Sequence, residues 1–182
     1  MNVGILILRL VLAMVLLAHS SQKTLGWFHG LGIEKNSAWF SNLGLRPARM
    51  MVTLAAAAEV ASAISLGTGF LAPLGAAIAG GAMLVAGLTM HVNAGRMWNA
   101  AGGGEYPYVL SMFALGLGFI GPGRYSLDHL LQPAIPWMAS YESGTVVGLV
   151  IVAVAVLGAI PFALVLRRGR AAAAAGSTGE QS

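Results

Sequence analysis

An all-α integral membrane protein is the fold class this sequence predicts, and three observations carry the prediction. Apolar residues make up 57% of the 182-residue chain and only 9% is charged. Ten Lys and Arg with six Asp and Glu cannot clothe a soluble domain of this length. The apolar residues also fall in long blocks, which suits spanning helices and not the period-two strands of a membrane barrel.

Five blocks come near the roughly 20 residues a helix needs to cross a bilayer: about 3–20, 48–66, 71–92, 108–121 and 146–166. The first has no basic leader, and its one cation, Arg9, lies inside the apolar run, so a retained span is expected rather than a cleaved signal. The connection to the second block is long. Its WFHGLG and KNSAWFSNLGL stretches place Trp27, Phe28, Trp39 and Phe40 among polar residues, as an amphipathic segment in the headgroup layer does. GTGF predicts a tight turn that makes the second and third spans an antiparallel hairpin. The glycine-rich NAGRMWNAAGGGEYP follows the third span, and its Pro107 suits the start of the fourth. The fourth block is the shortest. The connection after it carries prolines and an aromatic pair, Trp137 and Tyr141, and the AAAAAGSTGEQS tail after Arg170 is expected to be disordered.

Loop charge sets the expected orientation. With five spans, Lys23, Lys35, Arg46, Arg49, Arg96, Arg167, Arg168 and Arg170 share one side, and Arg124 stands on the other. The positive-inside rule then places the C-terminus in the cytoplasm and the N-terminus outside. A net charge of +4 spread in this way is an orientation signal and not a nucleic-acid signature. With no cysteine, the chain forms no disulfide, thiol relay or cysteine-ligated iron–sulfur cluster, so a redox role needs a bound cofactor.

Glu59 stands alone in VTLAAAAEVASAISLG. A carboxylate at mid-helix costs about 2.5–3.5 kcal/mol on insertion scales and calls for a partner. Measured from the block ends, Arg9 and Glu59 lie at similar depths, roughly 9–10 Å in, so an Arg9–Glu59 ion pair is expected. Such a pair either locks two helices together or belongs to a proton path. A second polar cluster is expected where the first and third spans end. There His91, Tyr106 and Trp98 suit a quinone head-group pocket. His19 and His91 are the pair that a b-type haem would need, which we rank below the quinone, and ordinary interface histidines are the plainer alternative. The seven-residue repeat of Met83, Met90 and Met97 is read as packing rather than a metal site. GTVVG, residues 144–148, is a small-residue contact motif and the one sign of a possible homodimer. No nucleophile, base or metal constellation is complete, which favours a non-catalytic subunit over an enzyme.

In order, these landmarks resemble the DoxX family of small bacterial membrane proteins. They are Arg9, then Lys23 with its WF segment, Glu59 before a Leu-Gly turn, His91, GGGEYPY, and above all GPGRYSLD at 121–128. The resemblance covers about residues 5–131 and implies a four-helix membrane bundle, with residues 132–170 adding a fifth span and 171–182 a tail. It matches family landmarks at Arg9, Glu59, His91, Glu105, Arg124 and Asp128. It also implies membrane redox work or oxidative-stress defence, since members have been linked to quinone-reducing sulfur oxidoreductases and terminal oxidases. The expected role is therefore an accessory or quinone-contacting subunit in a bacterial inner membrane, with a redox protein partner on the cytoplasmic side. A scaffold that recruits a soluble partner is the alternative. A small transporter coupled to protons through Glu59 is a third, disfavoured by the lack of an internal repeat.

Overall fold

The computed structural model describes residues 2–135 and 144–179. Helices α1 (Asn2–Thr24), α2 (Gly32–Asn42), α3 (Ala48–Thr68), α4 (Ala72–Ala94), α5 (Glu105–Ile120), α6 (Leu127–Leu131) and α7 (Thr145–Gly179) follow in order, with no strand among the described residues. Four of them, α1, α3, α4 and the Thr145–Arg170 part of α7, are long and apolar enough to span a bilayer. Trp137 and Tyr141 lie outside the described residues.

Helices α1, α3, α4 and α5 form the bundle, each packed on the next, and α7 lies outside it against α4 and α5. Leu12 and Leu16 of α1, Leu66 of α3, Met83 of α4, Leu117 of α5 and Ile151 of α7 meet in one core. The outward faces stay apolar, as lipid requires: Val3, Ile7, Met14, Leu54, Val109 and Leu157 are all exposed.

Glycine brings the helices this close. A methyl group on Gly80 would stand 2.5 Å from Leu115, and one on Gly87 would stand 2.6 Å from the Tyr108 ring. Both lie in the small-residue run of α4, which is therefore a packing face, as expected. Met83 of the methionine repeat is buried in the core, while Met97 is exposed. At Gly148 of the GTVVG motif an added methyl would overlap the Phe119 ring, so this glycine serves a helix contact within the chain.

The α5 span is 16 residues long, about 24 Å, and falls short of the roughly 30 Å hydrocarbon layer. It is therefore not among the four helices long enough to span, and the preceding loop folds back along α4. The Glu105 amide donates to Met97 O at 2.9 Å, and buried Gly104 lies directly on the Gly87 backbone. Non-helical backbone is tolerated at membrane depth where protein covers it, as here.

Two expectations are refined. The long first connection does contain an amphipathic helix, α2, but it is docked rather than loose. Its buried Asn36 donates to the carbonyl of Lys23, one of the unpaired carbonyls that end α1. Trp27 and Phe28 remain exposed beside it. The alanine-rich tail expected to be disordered continues α7 as helix to Gly179, consistent with the high helix propensity of alanine.

The glycine at the head of α5 tests this packing. Gly104→Ala is expected to lower the melting temperature in detergent, because its methyl would strike backbone that has nowhere to move. Gly116→Ala, in the same helix with no atom within 4 Å of the new carbon, is expected to leave stability unchanged or raise it by up to about 1 kcal/mol.

Candidate functional site

The buried charges separate into two clusters at opposite ends of the bundle. At the end where α3 turns into α4, Arg9 is 1% exposed and acts as a hub. Its Nε donates to Leu66 O at 2.7 Å and its Nη2 to Gly67 O at 3.3 Å, satisfying carbonyls of the last turn of α3. Its Nη1 donates to Pro122 O and to Tyr125 O at 3.1 Å, tying in the 121–128 segment. Asp128, fully buried, does the complementary work. Its two oxygens accept the amides of Leu71 (2.7 Å) and Ala72 (2.9 Å) at the start of α4, and its own amide donates to Gly69 O. A cation thus meets the negative end of one helix dipole and an anion the positive end of the next.

This double latch also holds strained backbone. Leu71 sits at φ 50°, a left-handed conformation that a branched residue rarely adopts, and Asp128 fixes it there. Gly69, at φ 70°, leaves room for the guanidinium: an added methyl would stand 2.6 Å from Arg9 Nη2.

The expected Arg9–Glu59 ion pair is not formed. Glu59, with no exposed surface, is paired through Oε1 with Lys23 Nζ. Two physical facts separate it from Arg9. Ser20 Oγ donates to Ala56 O, and Ala13 lies against Gly67, so α1 is staggered past the end of α3 and Arg9 stands level with its last turn. Side chains on a helix also lean toward its N-terminus. In this antiparallel pair Arg9 leans toward the turn end and Glu59 toward the opposite, basic end, where Lys23 leans to meet it.

The second cluster surrounds that pair. His19 is one turn before Lys23 on α1, and its ring meets Tyr106 of α5 edge-on at 5.7 Å. Gln22 orients it: Gln22 Nε2 donates to Phe28 O, which turns Oε1 toward His19 Nδ1 at 3.1 Å. In the tautomer whose Nδ1–H donates to Gln22 Oε1, Nε2 is the acceptor. His19 Nε2 and Glu59 Oε2 are buried without a partner among the described residues.

The other expected site residues do not converge on this cluster. His91 packs on Tyr108 (6.4 Å) rather than Tyr106, and Trp98 is 66% exposed in the loop before α5. At this end the rings brought together are His19 and Tyr106. His19 on α1 and His91 on α4 pack against different tyrosines of α5, Tyr106 and Tyr108. Glu105 is structural, accepting the Asn99 amide at 3.0 Å, and Arg124 is exposed with its amide on Asn2 Oδ1. Lys23, legible in the sequence as a loop cation and a family landmark, is the partner of Glu59 that sequence reasoning missed. Its position four residues after His19, inside an extended α1, is the signal that reveals it.

A multi-pass α-helical membrane protein with one latched end and one ionisable interior is the class these features define. Residues 4–92, from α1 almost to the end of α4, match the family model described as DoxX, and through this domain the chain belongs to the DoxX family. The match includes Arg9, Lys23, Glu59 and His91 and stops short of Glu105, Arg124 and Asp128. No curated protein and no solved structure matches the chain.

The pairing has a direct energetic test. A double-mutant cycle on Lys23→Met and Glu59→Gln, read by unfolding in detergent, is expected to give a coupling of about 1–3 kcal/mol. Arg9→Lys and Glu59→Gln should instead add to within about 0.5 kcal/mol. Stronger coupling of Glu59 to Arg9 than to Lys23 would reverse the assignment.

Proposed function

We propose that this protein is an accessory, quinol-contacting subunit of a membrane redox complex, with the head group held at the His19–Tyr106–Lys23–Glu59 cluster. The observation that carries the reading is that His19 Nε2 and Glu59 Oε2, like His91 Nδ1 beside Tyr108, are buried without a partner among the described residues. A buried acceptor without a donor costs about 1–3 kcal/mol, so a ligand that supplies hydroxyl donors recovers that cost. A hydroquinone carries two such hydroxyls on an apolar ring, and an aromatic edge, Tyr106, stands beside His19. Half-exposed Tyr106 and partly exposed Lys23 give such a ring a route in from the lipid.

No covalent or electron-transfer step is assigned to this chain. Electrons would pass to a redox partner, and His19, Lys23 and Glu59 would orient the head group and hold its protons. The basic end is read as cytoplasmic under the positive-inside rule, in a bacterial inner membrane, which puts that partner on the cytoplasmic side. A C-terminal alkaline phosphatase fusion should accordingly be inactive, and the matching fluorescent-protein fusion bright.

Calorimetry on the purified full-length protein tests the ligand. A short-chain hydroquinone kept reduced is expected to bind more tightly than its oxidised quinone. His19→Leu should weaken hydroquinone binding about tenfold, the equivalent of one hydrogen bond at about 1.4 kcal/mol, while Trp98→Phe leaves it unchanged. Equal affinity in wild type, His19→Leu and Glu59→Gln would defeat the reading. A co-purifying soluble protein retained by all three variants would then favour the scaffold role.

A further inference from the structure

A groove of about 400 Å³ runs along the lipid-facing side of α4, between α3 and α7. Its walls include Met51 and Leu54 from α3 and Phe162 from α7, and small residues, Gly81 of α4 and Gly158 of α7, widen it. A carbon added at Gly158 would meet no atom within 4 Å, so the gap beside it is real space at helix–helix distance. Followed toward the basic end, the groove meets a ledge where the Leu43–Gly44 backbone lies on Gly169 of α7.

Around that ledge three segments gather their cations. Arg46 precedes α3, Arg96 follows α4, and Arg167, Arg168 and Arg170 end the membrane part of α7. Arg170 reaches over the C-terminus of α4, its Nη2 standing 3.3 Å from where a carbon on Gly95 would be. Among the described residues the ion pairs are Lys23–Glu59 and Arg49–Glu34, so these five arginines meet no carboxylate. An apolar slot that ends in uncompensated guanidinium groups matches one kind of molecule: a long hydrocarbon chain with an anionic phosphate at its end.

We propose that the α3–α4–α7 groove and the arginine ledge form a specific site for an anionic phospholipid, its acyl chain in the groove and its phosphate on the arginines. This site lies on the α3–α4–α7 side of the bundle, apart from the His19 cluster between α1, α3 and α5, and it does not depend on the quinol reading. Such a lipid would seal α7 to the bundle where the protein itself leaves a gap.

Native mass spectrometry of the full chain, titrated with dioleoyl phosphatidylglycerol and separately with dioleoyl phosphatidylcholine, tests it. The wild type is expected to hold phosphatidylglycerol at least tenfold more tightly. The triple variant Arg167→Gln, Arg168→Gln, Arg170→Gln should bind both lipids alike, at the weaker level. Gly158→Leu, whose Cβ meets no atom within 4 Å and whose branch enters the groove, should weaken both lipids severalfold and keep its melting temperature in lipid-free detergent. Equal affinity for the two lipids in the wild type overturns the proposal, as does a preference that survives the triple substitution. A dimer that forms without lipid and is lost in Gly158→Leu would overturn it in favour of a second copy in the groove.

Discussion

Helix ends inside or near a bilayer cannot leave their backbone groups to water, and this constraint explains why Arg9 is where it is. The last turn of α3 ends with free carbonyls and the first turn of α4 with free amides. A tight turn brings these opposite needs within a few residues of each other. Arg9 supplies donors to the carbonyls and Asp128 supplies acceptors to the amides, while their own charges offset each other across the same turn. The guanidinium also binds the 121–128 segment, which keeps the exit of α5 fixed against the entry of α1. A charged residue that costs free energy in an apolar helix is retained because three chain segments meet on it.

The stagger of α1 past α3 follows from the same hub and decides much of what lies at the other end. Because Arg9 is level with Leu66, the end of α1 carries His19 and Lys23 alongside the middle of α3, where Glu59 waits. Had the two helices begun at one height, Lys23 would lie beyond reach in the headgroup layer. The short α5 helix complements this arrangement. Its start is drawn down along α4 by the loop after Gly95, which brings Tyr106 against His19 and Tyr108 against His91. The ionisable interior is therefore assembled by stagger and loop geometry rather than by one helix.

The two ends also differ in what they leave unsatisfied. At the turn end the guanidinium of Arg9 and both oxygens of Asp128 are hydrogen-bonded, which suits a structural latch. At the basic end a carboxylate oxygen and two imidazole nitrogens, on Glu59, His19 and His91, are buried without partners among the described residues. Unmet hydrogen-bonding capacity is energetically costly in a low-dielectric interior, and a bound water or ligand that donates to it relieves that cost. The functional proposal rests on this contrast and not on the presence of charge alone.

Composition and block length by themselves determined the class, the helical character, the α3–α4 hairpin and the amphipathic segment before α3. These are local properties: apolar run length, turn glycine and aromatic placement each read out within one stretch of chain. The order of Arg9, Lys23, Glu59 and His91 also made the family legible, whereas GPGRYSLD lies beyond residues 4–92, which the family model matches. Which buried charge pairs with which was decided only by tertiary structure. Depth counted from the ends of apolar runs assumes that helices start in one plane and that side chains project straight outward. Neither holds here, since α1 overshoots α3 and both side chains lean toward their own N-termini. Lys23 therefore takes the carboxylate and Arg9 takes backbone, for reasons of stagger and lean that no single segment of the sequence contains.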